Sequence, residues 1–94
     1  MKRYELLYAI SSELTDEKRE ALIEKFKKFI EERNGQIEKL DKWGMRKLAY
    51  PIKFKDEGYY VLVTFSAEPT LIKEMEQVMN ITEPIIRKMF VALN

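Results

Sequence analysis

The alternation of hydrophobic periods along the chain restricts its fold more than any other feature of the sequence. The segment KRYELLYAI at positions 2 to 10 has a period of two residues, which is typical of a β-strand with one buried face. A helical period, two more strand-like segments, a second helical period and a last strand-like segment follow it. The predicted element order is therefore strand, helix, strand, strand, helix, strand.

Each predicted helix has end signals and one apolar stripe. Thr15 is a candidate N-cap of the first helix, and the pair Asn34-Gly35 ends it. Pro69 suits the first position of the second helix, which ends near Asn80. The apolar stripes consist of Leu22, Ile23, Phe26, Phe29 and Ile30 in the first helix and of Leu71, Ile72, Met75, Val78 and Met79 in the second.

The later strands are predicted at positions 36 to about 51, 59 to 65 and 85 to 93, with a turn in KFKDEG at 53 to 58. Trp43-Gly44 is a natural place for a β-bulge in the first of these strands, because glycine relieves the backbone there. In the strand at 59 to 65, the better core face is formed by Tyr59, Val61, Val63 and Phe65. Tyr60 and Leu62 then point to the other side of the sheet.

These elements predict one α+β domain over residues 1–94, since a chain of this length has no room for two cores. The simplest arrangement is the ferredoxin-like βαββαβ fold, a four-stranded antiparallel sheet with two helices on one face. The other face of the sheet stays open. If the first and third strands are central, that open face collects Leu7, Ala9, Tyr60 and Leu62, and we expect the function to lie there.

Composition excludes most kinds of active site. The sequence has no cysteine and no histidine, and therefore no disulfide, thiolate nucleophile, imidazole base or usual zinc ligand set. We expect no enzymatic activity, no metal and no cofactor. The basic start followed by Glu5 is unlike a signal peptide, and no apolar run approaches the roughly 20 residues of a membrane span, so we expect a cytoplasmic protein without a membrane role.

The net charge is only +1, so binding of nucleic acid would require the cations to be gathered on one surface. Three adjacent pairs are the candidates, namely Lys2 and Arg3, Arg46 and Lys47, and Arg87 and Lys88. The middle pair follows Gly44, and its members point to opposite faces. These two charges either contact phosphate or only discourage association between sheet edges.

The arrangement of the other two pairs depends on how the strands are paired. If the first and last strands are neighbours, the pair at 2 and 3 is expected near the pair at 87 and 88. The sequence does not fix the register of the last strand, and so leaves open which of Arg87 and Lys88 faces the open side.

Apolar residues on the open face are further candidates. Leu7, Tyr60 and Leu62 form a predicted contiguous patch, a feature that marks partner surfaces. Trp43, next to the bulge, either stacks on a base or only holds the strand in place, and both interpretations remain open.

The run GMRKLAYPIK at positions 44 to 53 closely resembles the signature of the bacterial small-subunit ribosomal protein six family. KRYELLYAI, GYYVLV and IRKMFV look like the corresponding parts of that family, so the resemblance covers nearly the whole chain. It implies a structural constituent of the small ribosomal subunit. Such a protein binds the central domain of small-subunit (16S) ribosomal RNA cooperatively with the small-subunit ribosomal protein eighteen.

For individual residues, the resemblance implies that the six cations face RNA or the partner, and that Tyr60 and Leu62 meet the basic partner protein. Because the chain is nearly neutral, we expect tight RNA binding only when that partner is docked on the open face, and a monomer when the protein is free. The sequence ends at Asn94, where some relatives carry a longer tail, so we do not expect the contacts of such a tail.

Three alternatives stay open at the level of sequence. EGYYVLVT resembles the third-strand signature of an RNA-recognition motif, although Glu57, Tyr60 and Thr64 depart from it. An acylphosphatase-like enzyme of the same fold needs an anion-binding loop with arginine, whereas the loop here is SSELT. A ligand-sensing domain that dimerises through its sheet is the third.

Overall fold

The computed structural model describes residues 1–52 and 55–93, and side chains outside 48–56. Its elements are β1 (Lys2–Ser11), α1 (Asp16–Glu32), β2 (Gln36–Ile52), β3 (Lys55–Ala67), α2 (Pro69–Asn80) and β4 (Ile85–Ala92). The predicted element order is confirmed. Strand β3 extends beyond the predicted 59 to 65 at both ends, and the predicted turn at 53 to 58 lies partly outside the described residues.

The four strands form one antiparallel sheet in the order β2-β3-β1-β4. Strands β1 and β3 are central, as expected, and β2 and β4 are the edges. The ferredoxin-like fold predicted from the sequence is therefore confirmed. A backbone hydrogen bond also joins the end of β1 to the residue before β4, since the Ser11 amide donates to the Pro84 carbonyl at 2.7 Å.

Both helices cover the same face of the sheet, and the core lies between them and the strands. Alternate residues of β1, namely Tyr4, Leu6, Tyr8 and Ile10, are buried against Val61, Val63 and Phe65 of β3 and against the stripes of α1 and α2. Burial of each large apolar side chain contributes roughly 1.5–3 kcal/mol, so this cluster is the main source of stability.

The helix ends follow from local side-chain chemistry. Thr15 caps α1 by accepting a hydrogen bond from the Lys18 amide at 3.2 Å, and Pro69 occupies the first turn of α2. Asn34 adopts the left-handed conformation that ends α1, with φ of 65°. Gly35 is required for a different reason: a Cβ there would lie 2.5 Å from Cγ2 of Ile30.

Candidate nucleic-acid and partner interface

The face of the sheet away from the helices has an apolar centre. Strand pairing places Leu7 opposite Leu62 and Ala9 opposite Tyr60, so these four side chains share the open face. Ala9 and Tyr60 are buried. The expectation that Leu7, Tyr60 and Leu62 share the open face is confirmed, and Leu7 packs against the cluster of Ala9 and Tyr60.

Strand β4 adds apolar residues to this face that were not predicted from the sequence: Ile86 packs against Ala9 and Tyr60, and two further residues are more exposed. Met89 pairs with Leu7, and Val91 pairs with Glu5, so both side chains lie on the open face. They are 53% and 40% exposed, which is high for large apolar residues. We call Leu7, Tyr60, Leu62, Met89 and Val91 the open-face patch.

A β-bulge in β2 sets the orientation of the residues at one edge of the patch. The pairing with β3 shifts register between Lys42 and Gly44, and Gly44 has φ of 84°, so the predicted bulge is confirmed. Trp43 is the unpaired residue of the bulge. Its ring stacks on Tyr60, with centroids 6.4 Å apart and an angle of 22° between planes, yet Trp43 remains 42% exposed.

Two arginines stand at the bulge end of the open face. Arg46 pairs with Gly58, and Arg87 pairs with Ala9, which puts both on the face that carries Tyr60. Both are exposed, and within the described part of the chain neither has a carboxylate partner within salt-bridge distance. Three strand spacings separate β2 from β4, so these cations frame the patch at a distance of about 14 Å.

Their sequence neighbours lie on the opposite side of the sheet. Lys88 pairs with Tyr8, and Lys47 pairs with Glu57, so both belong to the helix-side face, where Lys47 is exposed and Lys88 is half-buried. The question left open by the sequence is thereby answered: Arg87 faces the open side and Lys88 does not.

The expectation that Lys2 and Arg3 lie near Arg87 and Lys88 is wrong. Strands β1 and β4 are neighbours, but they are antiparallel, so the cations at the start of β1 face the end of β4. The amide of Leu93 donates to the Arg3 carbonyl, whereas Arg87 pairs with Ala9, six positions along β1. That offset corresponds to about 20 Å.

Arg3 also differs from Arg46 and Arg87 in having an ion-pair partner. Its guanidinium donates two hydrogen bonds to the Glu38 carboxylate, at 2.9 and 3.0 Å, and Ser66 donates to the same carboxylate. The hydrogen bond from Arg3 is the main reason why the pKa of Glu38 lies below its usual value, and it raises the pKa of Arg3. Arg3 is therefore held by Glu38, whereas Arg46 and Arg87 have no carboxylate partner in the described part of the chain.

The described residues contain no group of three or more side chains that could hold a metal ion. Among the same residues, no helix is long and apolar enough to cross a membrane.

Comparison with known proteins identifies the family. The model of the family described as Ribosomal protein S6 matches residues 3–92. The chain belongs to the ribosomal protein S6 family. This confirms the family resemblance seen in the signature at 44 to 53.

Individual S6 relatives match over almost their whole length. The chain is 47% identical to the small ribosomal subunit protein bS6 of Caldanaerobacter subterraneus subsp. tengcongensis, over 97% of this chain and 96% of that protein. The bS6 protein of Desulforamulus reducens is also 47% identical over the same shares. The crystal structure of 30S ribosomal protein S6 from Thermotoga maritima superposes with a TM-score of 0.92 at 38% identity, covering 97% of this chain and 86% of that one.

Proposed function

We propose that the protein binds the central domain of small-subunit (16S) ribosomal RNA cooperatively with the small-subunit ribosomal protein eighteen. As a member of the ribosomal protein S6 family, the chain is a structural, non-enzymatic constituent of the small ribosomal subunit, and its place is the cytoplasmic ribosome. The proposal adds to this role the RNA domain that the protein binds and the partner protein that binds with it.

One observation carries the proposal: the open face combines an exposed apolar patch with arginines at its edge that have no carboxylate partner among the described side chains. Met89 and Val91 are too exposed to be core residues, and apolar area of this kind marks a protein interface. Arg46 and Arg87 offer planar donors that suit phosphate. The face therefore supports a protein on its centre and RNA at its bulge end.

The chemistry of each side chain indicates whether it contacts the partner protein or the RNA. We assign Leu7, Tyr60 and Leu62 to the protein partner and Arg46 and Arg87 to RNA phosphates. Four other cations remain proposed RNA contacts, namely Lys2, Arg3, Lys47 and Lys88. They lie on the helix-side face or at the far end of the sheet, away from Arg46 and Arg87, and the open-face patch does not connect the two groups.

The small net charge explains why a partner is needed. A protein with a charge of +1 gains little from general attraction to a polyanion. Two or three well-placed cations position a backbone without holding it tightly, so a second, more basic protein on the open-face patch would supply the remaining affinity.

The proposal is tested by titrating central-domain RNA with the protein, alone and with the small-subunit ribosomal protein eighteen. We expect tight binding only with the partner. Met89→Lys should weaken assembly at least tenfold, because a buried cation would face a basic partner. Met89 is exposed, so this change should leave the free energy of unfolding nearly unchanged.

Ile81→Lys is the matched control, because Ile81 is 83% exposed and lies after α2, away from the open face. It should assemble like the wild type. Tight RNA binding by the protein alone, or equal assembly of the two lysine variants, would contradict the proposed role of the open face.

A further inference from the structure

We propose that the cavity beside the β2 bulge binds one unpaired nucleotide of RNA, with the base stacked on Trp43 and the phosphate held by Arg46. This inference rests on the proposed RNA-binding function and names the RNA feature that this site takes. The cavity has a volume of about 260 Å³ and is lined by Trp43, Arg46, Lys47 and Tyr60. This volume is somewhat below the roughly 300–1,000 Å³ of ordinary ligand pockets, so it suits a group as small as one base.

The rings of Tyr60 and Trp43 form a stacked platform, and the Trp43 ring is its exposed part. Tyr60 is only 9% exposed and belongs to the sheet, and Trp43 stacks on it at a small interplanar angle. The contact with Tyr60 holds the indole against the sheet, while 42% of Trp43 stays accessible. Holding the ring in advance lowers the entropy that a stacking ligand would otherwise lose.

A cation lies beside this platform. The guanidinium carbon of Arg46 lies 6.0 Å from the centre of the Trp43 ring, and its Nε donates to the Trp43 carbonyl at 3.4 Å. Lys47 also lines the cavity, but its strand position belongs to the helix-side face, so Arg46 is the cation assigned to this site. The acid nearest in the strand, Asp41, is engaged by Lys39 at 3.2 Å. The site thus offers a flat apolar surface next to a cation.

That combination favours a nucleotide over a segment of the basic partner protein. A base has a π-face for the indole, and its phosphate is attracted by Arg46. A cationic side chain could also stack on Trp43, but Arg46 would repel it. The nucleotide must be unpaired, because bases within an A-form helix are not open to stacking.

Trp43 is the single tryptophan of the chain, so its fluorescence reports on this site alone. We would record tryptophan emission of the full chain during titration with the partner protein, made free of tryptophan if it contains any, and then with central-domain RNA. The inference predicts little change on adding the partner and strong quenching on adding RNA. It also predicts that Trp43→Leu weakens RNA binding about 5- to 100-fold, whereas Trp43→Phe, which still stacks, stays within about threefold of wild type.

The outcomes separate this inference from the proposed function. If RNA binds in the presence of the partner but emission is unchanged and Trp43→Leu binds like wild type, the nucleotide site is overturned and the RNA-binding function stands. A large change in emission with the partner alone, together with weaker partner binding by Trp43→Leu, would assign Trp43 to the protein interface and overturn the site. Absence of RNA binding by the wild-type protein with its partner would overturn both. The wild-type emission decides the matter even if a Trp43 variant fails to fold.

Discussion

Tyr8 carries a hydroxyl group that is buried in the protein core. The residue is 1% exposed, its ring packs edge-on against Phe26 at 5.6 Å, and the hydroxyl has no hydrogen-bond partner among the described residues. Burial raises the pKa of Tyr8 far above its usual range, because a phenolate there would lose its hydration. The hydroxyl therefore stays neutral and unsatisfied.

We expect Tyr8→Phe to stabilise the protein by about 1 kcal/mol, because the ring contacts remain and the desolvation cost of the hydroxyl disappears. Urea denaturation measures the change in the free energy of unfolding. A loss of stability of similar size would mean that an ordered water satisfies the hydroxyl, contrary to this account.

The ion pair between Arg3 and Glu38 gives a pH-dependent contribution of known sign. Arg3 holds the pKa of Glu38 below the usual value of about 4.3 in the folded state. A depressed carboxyl pKa contributes stability above the unfolded value, and that contribution is lost as the pH falls through the folded value. The ion pair therefore contributes to stability only while Glu38 is ionised.

We expect Arg3→Ala to raise the pKa of Glu38 towards 4.3 and to make acid unfolding less steep in that pH range. Carboxyl NMR titration of Glu38 measures the shift. Arg33→Ala is the control, because Arg33 pairs with Glu74 at 3.0 Å and does not contact Glu38. An unchanged pKa in the Arg3 variant would show that Ser66 or the backbone, rather than Arg3, sets it.

At the scale of elements, the bulge of β2 depends on the conformation of Gly44. Its φ of 84° is in the left-handed region, although the space around it would accept a Cβ. We expect Gly44→Ala to cost about 1–2 kcal/mol of stability from backbone strain alone. Gly44→Asn should lose less stability, because asparagine tolerates this backbone conformation.

Urea denaturation of the two variants measures this difference directly. Equal stability of Gly44→Ala and wild type would show that the strand adapts without the bulge. In that case the positions of Trp43 and Arg46 would not depend on glycine.

The sequence predicts the elements well because each core face repeats with a fixed period. Alternation in β1 and β3 determines the buried side, and so places Leu7, Tyr60 and Leu62 correctly on the open face. Glycine at position 44 marks the bulge for an equally local reason, since few other residues adopt its conformation.

Register is what the sequence does not determine. The pairing of β1 with β4 shifts between Ala9 and Ile10, and a period of two says nothing about such an offset between strands. Met89 and Val91 were missed for this reason. The wrong expectation that Lys2 and Arg3 lie near Arg87 and Lys88 has another cause. Antiparallel pairing by itself places the start of β1 beside the end of β4.

At the scale of the whole molecule, the cations differ in whether they have carboxylate partners. Arg3, Arg19, Arg33, Lys39 and Lys42 have carboxylate partners in the described structure. Among the residues that the structure describes, Arg46 and Arg87 have no carboxylate partner within salt-bridge distance, and both lie at one end of the open face. A nearly neutral protein can in this way present charge at chosen positions without attracting every polyanion.

The central claim, that Arg46 and Arg87 contact RNA phosphates in the assembled complex, is tested most directly by salt dependence. We would measure RNA affinity against salt concentration, with the partner protein present, for wild type and for the Arg46→Ala, Arg87→Ala double variant. Lys25→Ala, Lys28→Ala on the exposed side of α1 removes the same charge and serves as control. Loss of two phosphate contacts should reduce the slope of log affinity against log salt by roughly 1.5 in the arginine variant only. Equal slopes in wild type and the arginine variant would contradict the claim.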